Sequence, residues 1–261
     1  MSLASAVTSW HRGVRELPAR VGRTLMPRRT VKARGVAFRV RCDTWITEWR
    51  WRTFLTKEPE TLDWIDRWER DGGTFFDVGA NVGEFSMYAV LRHPGVRSVA
   101  FEPEYANLHL LKENLLANKL QERVHVYAMA LGNRVGISHL HIQDATAGAA
   151  LHTESRDALT LTRTQKPVIW REGIYTTTLD AFCQETGLSP RFMKIDVDGT
   201  EAEILDGAGR TLRSPVLRSL LVEMFGGAPV REACVRRLQE AGLHRVWRDP
   251  GRSDNEIWAR K

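Results

Sequence analysis

The sequence predicts an α/β domain built on a doubly wound, mostly parallel sheet of seven strands that ends in an antiparallel hairpin. From residue 74 onward, apolar runs typical of buried parallel strands alternate with helix-compatible stretches. The first of these runs ends in a small polar turn with two glycines, and a helix-compatible stretch follows directly. Near the C-terminus, two short strand-like stretches are separated by a Pro-Gly turn, which predicts the hairpin.

The positive charge of the chain is concentrated at its N-terminus. Residues 1–35 hold eight arginines and lysines but a single glutamate, so their formal net charge is +7. The whole chain has a formal net charge of +6, so residues 36–261 together carry −1. A basic arm on a nearly neutral body argues against a broad nucleic-acid-binding face. We predict an N-terminal arm over 1–35, a cap segment and helix over 36–73, and the main domain over 74–261.

The cysteines and the N-terminal composition predict a cytoplasmic protein. Cys42, Cys183 and Cys234 are widely spaced and odd in number, which is typical of a reducing compartment and of neither a disulfide framework nor a zinc site. The N-terminus lacks the continuous apolar segment of a signal peptide. The arm is rich in arginine and poor in acids, as a transit peptide is, and this composition also suits weak contact with an anionic membrane surface.

Three elements are predicted ahead of the main domain. Residues 35–42 alternate between apolar and other side chains, which predicts a short strand. The tryptophan-rich stretch 44–54 predicts a lid packed on the core. Pro59 then opens a helix that presents Leu62 and Ile65 on one face and leads into the first strand of the main sheet.

The stretch 74–86, TFFDVGANVGEFS, is the predicted strand, turn and helix around which a ligand binds. Gly79 and Gly83 lack a Cβ atom, so the backbone can turn sharply and a ligand can approach it closely. Their spacing of four matches neither the GxGxxG dinucleotide fingerprint nor a GxxxxGK[ST] phosphate loop. Asp77, the last acid of the strand, is placed to accept hydrogen bonds from a cationic amine.

A second acid completes the predicted nucleoside site. Glu102 follows the apolar strand 98–101, where a carboxylate can accept hydrogen bonds from both ribose hydroxyls. An amine-binding acid and a ribose-binding acid together indicate S-adenosylmethionine rather than NAD, although each acid alone is also compatible with capping a loop. In such sheets an adenine lies near the ends of the second and third strands, so Ala130 and Leu131 are its expected neighbours, and plain strand packing explains them equally well.

The remaining stretches continue the alternation of strands and helices. The irregular stretch 143–173 predicts a functional lid that selects the acceptor. The other predicted elements are a helix at about 103–118, a strand at 124–131, an antiparallel strand at 136–142, a helix near 180–185, a strand at 219–225, a helix at 230–241, and hairpin strands at 243–248 and 255–259.

The stretch 191–207, RFMKIDVDGTEAEILDG, predicts a fourth parallel strand beside the first. Ligands bind in the crevice between the carboxyl ends of these two strands. Asp196 and Asp198 are two residues apart at this strand end, so a continued pleat points both to the same side. Asp198 is also typical of a residue that forms a turn. A charge at a buried strand end, such as that of Asp196, indicates an oppositely charged partner or a functional role.

Several motifs in the right order resemble the FkbM-like S-adenosylmethionine-dependent methyltransferases. They are EPET (58–61), FFDVGANVGEFS, FEPEYAN (101–107), MALGN, TTLDAF and KIDVDGTEAEIL followed by LLVE, and they span about residues 58–223. The resemblance implies the class I, Rossmann-like methyltransferase fold, S-adenosylmethionine as the methyl donor, and commonly O-methylation of sugars, glycans or polyketides. It also implies that Asp77, Gly79, Asn81 and Gly83 line the methionine side, Glu102 the ribose and Asp196 the reacting centre.

One departure concerns the fourth strand end, because the family more often reads KIDVEG and this chain has Asp198 in place of the glutamate. Methyl transfer is an in-line displacement in which the acceptor oxygen is held about 3 Å from the methyl carbon and its proton is removed or shared. We expect Asp196 to orient or deprotonate the acceptor, with Asp198 as the second choice. Lys194 is placed to hold a carboxylate ionised, and a strand lysine that reaches solvent explains it equally well. His152 in the predicted lid is an outside candidate for the base.

Metal dependence and two other functions remain as alternatives. Asp196, Asp198 and Glu223 are together able to bind Mg²⁺, but paired acids at strand ends also serve S-adenosylmethionine directly, so we predict no metal. A nucleic-acid methyltransferase or binder that uses the basic arm is one rival, although the IDVDG strand end differs from the Asn-Pro-Pro-Tyr-like end of many base-modifying enzymes. A non-catalytic domain that binds the cofactor or a partner is the other. The predicted acceptor is a sugar, a glycan or another small hydroxylated molecule.

Overall fold

A computed structural model describes residues 28–69, 72–162, 164–224 and 227–261. Residues 1–27, which form most of the predicted basic arm, lie outside the described residues. The described chain begins with an antiparallel hairpin of β1 (Arg28–Ala33) and β2 (Val36–Arg41). This hairpin spans the predicted boundary at residue 35, so the end of the predicted arm is part of a sheet.

Two helices lead from the hairpin to the main domain. The tryptophan-rich stretch is helical, since α1 (Trp45–Thr53) begins at a capping box in which Thr44 and Thr47 exchange side-chain and backbone hydrogen bonds. The predicted helix at Pro59 is present as α2 (Pro59–Asp66). Its proline occupies the start of the helix, where the missing N–H has no intrahelical partner to lose.

The elements of the rest of the chain follow in regular alternation. They are β3 (Gly73–Val78), α3 (Glu84–Arg92), β4 (Val96–Phe101), α4 (Tyr105–Ala117), β5 (Val124–Tyr127), β6 (Ala130–Leu131), β7 (Gly136–Ile142), β8 (Thr153–Ser155), β9 (Trp170–Thr177), α5 (Leu179–Thr186), β10 (Phe192–Ile195), α6 (Glu201–Asp206), α7 (Gly209–Arg213), β11 (Ser219–Glu223), α8 (Ala228–Glu240), β12 (His244–Arg248) and β13 (Asn255–Ala259).

The main sheet confirms the predicted fold class. Its seven strands lie in the order β12-β13-β11-β10-β3-β4-β5. The five strands from β11 to β5 pair in parallel, and β13 runs antiparallel to both of its neighbours. Because the strand order reverses at β3, the crevice beyond the carboxyl ends of β3, β4 and β10 is the expected ligand site.

Helices cover both faces of this sheet. The hairpin and α1 to α4 pack on one face, and α5 to α8 pack on the other. Successive residues of β3 serve the two cores, since Phe75 faces the first and Phe76 the second, and both are fully buried. The strand is therefore sealed on both faces, and its carboxyl end is where a polar ligand can reach it.

A smaller second sheet corrects two predictions. The stretch 124–131 is not one strand, because the chain leaves the main sheet after Tyr127 and Ala130–Leu131 pairs with β9 instead. The stretch 143–173 is not wholly irregular either, since it includes β8 and the start of β9. Both of these strands pair antiparallel with β7, and the second sheet has the order β6-β9-β7-β8.

Two observations bear on the predicted location. Cys42, Cys183 and Cys234 are free thiols. Across the part of the chain that the structure describes, no helix combines the length and the apolar character needed to cross a membrane.

Candidate active site

A cleft opens at the carboxyl ends of the central strands. Its floor is the turn after β3, one wall follows β4 and β6, and the other wall follows β10 and β11. Eight of the ten predicted site residues line this cleft. The predicted residues that line it are Gly79, Asn81, Glu102, Ala130, Leu131, Lys194, Asp196 and Asp198.

The turn after β3 brings two strand ends into contact. Gly79 has a left-handed φ of 82°, and a Cβ atom there would lie 1.9 Å from the backbone oxygen of Asp196. No side chain fits at this position, so the glycine lets the turns after β3 and β10 approach each other. Asn81 is also left-handed, with a φ of 49°, and its side-chain amide donates to the Ala149 carbonyl at 2.8 Å.

Glu102 is held rigidly at the end of β4. One carboxylate oxygen accepts the Asn81 N–H at 2.7 Å and the other accepts the Glu104 N–H at 2.9 Å. Burial outweighs these bonds and raises the pKa of Glu102 to about 7. The wall beside it is apolar and includes Phe101, Met129 and Leu131. A carboxylate next to an apolar wall suits a ribose joined to a base.

Asp77 and Gly83 do not line the cleft, which corrects their predicted direct contact with the cofactor. Asp77 is 1% exposed, and its carboxylate accepts the Ser86 hydroxyl at 2.7 Å beneath the turn. Burial raises its pKa to about 6, against the attraction of Lys194 on the neighbouring strand. Gly83 instead faces Leu111, 3.3 Å from where its Cβ would lie, and precedes α3 with a φ of 87°. Both residues shape the turn from below.

Lys194 and Asp196 form an ion pair at the end of β10. The Lys194 ammonium donates to the Asp196 carboxylate, and it also lies 4.0 Å from a Glu58 oxygen and 4.8 Å from the centre of the Phe85 ring. Burial alone would lower the pKa of Lys194, but the carboxylates of Asp196, Glu58 and Asp77 outweigh burial and raise it. For Asp196, burial opposes ionisation, yet the Lys194 charge holds its pKa below the usual range. Asp196 is therefore ionised.

Asp198 and Glu223 crowd the same strand ends. Burial and the charge of Asp196 raise the pKa of Asp198 to about 6, and Asp198 has a left-handed φ of 60°. The Asp196 charge, followed by burial, raises the pKa of Glu223 to about 10, so Glu223 carries a proton at neutral pH. One oxygen from each of the three residues lies within 4.8 Å of the others, a spacing that suits either shared protons or one divalent cation.

The segment 144–152 covers the cleft, and this is the part of the predicted lid that reaches the site. Thr44 donates its hydroxyl to the Ala147 carbonyl at 2.7 Å, and Arg50 donates to the Gly148 carbonyl at 2.7 Å. At its other end, the Leu151 N–H donates to Asp198 at 2.7 Å. These bonds connect residues 144–152, called the cover segment from here on, to α1 and to the turn after β10.

His152 ends this cover segment and lines the cleft. Both of its ring nitrogens are buried, and neither has a hydrogen-bond partner among the residues that the structure describes. Burial lowers its pKa to about 4, against a weaker opposing effect of Asp144. A neutral imidazole with two unpaired nitrogens is suited to contact a polar ligand, but so low a pKa makes His152 a weak candidate for the base.

Three charged residues ahead of β3 also line the cleft, and the sequence interpretation missed them as site residues. They are Arg50 on α1 and the consecutive Lys57 and Glu58 before α2. Arg50 is buried and donates to Glu84 at 3.1 Å, and Lys57 pairs with Glu58 at 3.0 Å. The sequence contains a signal for Glu58, because this residue begins the EPET motif. Its position far upstream of the glycine turn did not indicate that its side chain reaches the cleft.

Comparisons with known proteins agree with the geometry. Residues 77–242 match the family described as the methyltransferase FkbM domain. The chain is 34% identical over 96 residues to the 31-O-demethyl-FK506 methyltransferase FkbM of Streptomyces tacrolimicus. That alignment covers 36% of this chain and 36% of the relative, so the chain matches little more than a third of the relative's length.

Solved structures with similar backbones are distant in sequence. A precorrin-6Y C5,15-methyltransferase from Geobacter metallireducens GS-15 has a TM-score of 0.45 at 14% identity, covering 79% of this chain and 89% of that one. An O-methyltransferase family protein from Burkholderia thailandensis has a TM-score of 0.44 at 11% identity, covering 80% of this chain and 58% of that one.

Proposed function

This chain belongs to the FkbM methyltransferase domain family, and we propose that it transfers a methyl group from S-adenosylmethionine to a hydroxyl oxygen of a sugar, a glycan or another small hydroxylated acceptor. One observation carries the proposal. One cleft holds the backbone-anchored carboxylate of Glu102 on one wall and the acids Asp196, Asp198 and Glu223 on the other. The first wall suits a nucleoside, and the second suits an acceptor that must lose a proton.

The residues present fit S-adenosylmethionine. Glu102 is placed to accept hydrogen bonds from ribose hydroxyls, and Met129, Ala130 and Leu131 offer an apolar surface to a base. The missing Cβ atom at Gly79 lets the turns after β3 and β10 meet at the floor of the cleft, because a Cβ there would lie 1.9 Å from the Asp196 backbone oxygen. When bound, S-adenosylmethionine supplies an electrophilic methyl carbon on a sulfonium.

The acids on the second wall divide the work on the acceptor. Asp196 is ionised and is suited to accept a hydrogen bond from the acceptor hydroxyl and so orient its oxygen. A carboxylate with so low a pKa holds a hydrogen bond better than it takes a proton. Asp198, with a pKa of about 6, is closer to the operating pH and is the better proton acceptor. Lys194 keeps Asp196 ionised throughout.

We propose that the reaction needs no metal. Lys194 already supplies positive charge to Asp196, and the proton on Glu223 relieves the repulsion among the three acids. A bound Mg²⁺ would have to displace that proton and compete with the ammonium. Activity that persists in excess EDTA supports this arrangement, whereas activity restored only by Mg²⁺ assigns the three carboxylates to a metal.

The other expectations about partners and location remain proposals. We propose a cytoplasmic protein whose acceptor is not a nucleic acid and whose basic arm makes at most weak contact with an anionic membrane surface. Deleting residues 1–27 is then expected to leave methyl transfer and its salt dependence unchanged. Loss of activity on deletion, or a steep fall with salt, favours the nucleic-acid alternative.

The function is tested by binding and by turnover. Calorimetry of the full chain with S-adenosylhomocysteine is expected to give one site per chain. Incubation with methyl-labelled S-adenosylmethionine and a panel of glycans, sugars and polyketides is expected to label at least one hydroxylated acceptor. Binding without labelling of any acceptor, tRNA and DNA included, favours the non-catalytic alternative.

A further inference from the structure

One end of the cleft carries a pair of opposite charges that has no role in the nucleoside and acceptor walls. The pair is Lys57 and Glu58, which form a 3.0 Å ion pair, and the Glu58 side chain is 14% exposed. They belong to the short connection between α1 and α2. The Glu58 carboxylate also lies 4.0 Å from Lys194, which links this end to the reacting acids.

The side chain of Glu58 is not used to cap a helix. Glu58 is the N-cap residue of α2, a position where the short side chains of Asp, Asn, Ser and Thr usually accept a backbone N–H of the first helical turn. Glu58 makes no such side-chain cap. Its oxygens contact Lys57 and the Thr61 hydroxyl instead, and they line the cleft. The Glu58 carboxylate is therefore not engaged by the helix backbone and faces the cleft.

Each of the other acids that line the cleft has a partner of its own or is neutral. Glu102 accepts two backbone N–H groups, Glu84 pairs with Arg50, and Asp198 accepts the Leu151 N–H. Glu104 accepts the Asn107 N–H, Glu154 the Ser138 hydroxyl and Asp196 a hydrogen bond from Lys194, while Glu223 is protonated. Asp77, the acid that the sequence assigned to an amine, is sealed beneath the turn. An incoming ammonium therefore has Glu58 as its best available carboxylate, and an incoming carboxylate has the adjacent Lys57.

We propose that Lys57 and Glu58 bind the α-amino-acid end of the cofactor, with Lys57 holding its carboxylate and Glu58 its ammonium group. This inference rests on the proposed function. A zwitterion matches an adjacent pair of opposite charges, because each of its ends can replace one partner of the existing pair without leaving a charge unpaired. The connection between α1 and α2 thereby completes a site whose other parts follow the strands of the main sheet.

The test uses four ligands that share an adenosine and a sulfur. S-adenosylhomocysteine has both tail charges, 5′-S-(3-aminopropyl)-5′-thioadenosine lacks the carboxylate, 5′-S-(3-carboxypropyl)-5′-thioadenosine lacks the ammonium, and 5′-methylthioadenosine lacks both. We expect the wild-type chain to bind S-adenosylhomocysteine at least ~100-fold more tightly than 5′-methylthioadenosine, since the latter lacks both charged groups that form hydrogen bonds with the pair.

Two substitutions then assign the charges one by one. Lys57→Met is expected to weaken S-adenosylhomocysteine at least ~10-fold and to leave the aminopropyl ligand within about 2-fold, because that ligand has no carboxylate to lose. Glu58→Gln is expected to weaken S-adenosylhomocysteine similarly and to leave the carboxypropyl ligand unaffected. Lys112→Met, an exposed lysine on α4 outside the cleft, is the matched control and should change nothing.

Each outcome decides the inference separately from the function. If wild type binds S-adenosylhomocysteine and 5′-methylthioadenosine equally well, the tail is not held and the inference fails while the proposed function stands. Equal weakening of all four ligands by either variant also overturns it. If the wild-type chain binds none of them, the proposed function itself fails. The comparison of S-adenosylhomocysteine with 5′-methylthioadenosine uses the wild-type chain alone, so it tests the inference even if Glu58→Gln folds poorly.

Discussion

The two walls of the cleft hold their acids in different ways. On the β4 wall, Glu102 is fixed by backbone N–H groups of Asn81 and Glu104, so its position follows from the local chain. On the β10 wall, Asp196, Asp198 and Glu223 are controlled by one another and by Lys194. The first wall is built for binding at a fixed position, and the second is built to distribute protons.

This difference teaches where each kind of substitution should act. A change on the β4 wall removes contacts that a nucleoside needs in every step, so we expect it to alter affinity. A change on the β10 wall alters which carboxylate is ionised, so we expect it to alter turnover. Four experiments test this division, in order of decreasing effect.

The largest effect is expected from Asp196→Asn. The neutral asparagine amide accepts a weaker hydrogen bond from the hydroxyl of the methyl acceptor than an ionised carboxylate does, so kcat should fall by ~10³-fold or more. The Kd for S-adenosylhomocysteine should stay within about 3-fold. Lys194 loses its closest partner, and the free energy of unfolding should fall by about 3 kcal/mol. Equal losses of affinity and turnover would move Asp196 to the binding wall.

The next largest effect is expected from Glu102→Gln. The side-chain amide cannot accept both backbone N–H groups, and it also offers a weaker acceptor to the ribose hydroxyls. Affinity for S-adenosylhomocysteine should fall by ~10–100-fold, with kcat at saturating cofactor nearly unchanged. Calorimetry and steady-state rates measure the two quantities. A large fall in kcat with normal affinity would break the comparison.

The pH dependence of binding separates Glu102 from the other acids. In the free protein its pKa is raised to about 7, so below that pH it is mostly protonated. Ribose hydroxyls donate best to the ionised form, so affinity for S-adenosylhomocysteine should rise with pH up to about 7 and then level off. Binding near pH 7 should release protons, which calorimetry in buffers of different ionisation enthalpy measures. Glu102→Gln should remove this release, and an unchanged release would assign it elsewhere.

The smallest effect is expected from Glu223→Gln. Because the pKa of Glu223 is raised to about 10, its side chain is neutral at pH 7.5, and glutamine reproduces its size and lack of charge. Turnover at that pH should stay within about 3-fold of wild type. A 100-fold loss, together with a requirement for Mg²⁺, would show that Glu223 acts as an ionised ligand.

Sequence patterns predicted the fold because its signals are local. The buried strands, the glycine turn and the C-terminal hairpin each follow from neighbouring residues, and Glu102 follows from its place at a strand end. The division of 124–131 between two sheets was missed, because β6 has only two residues and its pairing with β9 is decided about 45 residues further along the chain.

The errors at the site have two physical origins. Asp77 has the right spacing for a ligand contact, but spacing does not set where its side chain points, and its carboxylate lies beneath the turn with Ser86 and Lys194 as neighbours. Arg50, Lys57 and Glu58 reach the cleft only because α1 and the chain before α2 pack against α3 and the cover segment. Long-range packing of this kind leaves no periodic signal.

A crystal structure of the full chain with S-adenosylhomocysteine tests the central claim most directly. We predict both ribose hydroxyls within hydrogen-bond distance of the Glu102 carboxylate and the sulfur directed toward the wall that carries Asp196. A ligand bound outside this cleft, or in it with the ribose turned away from Glu102, would contradict the account.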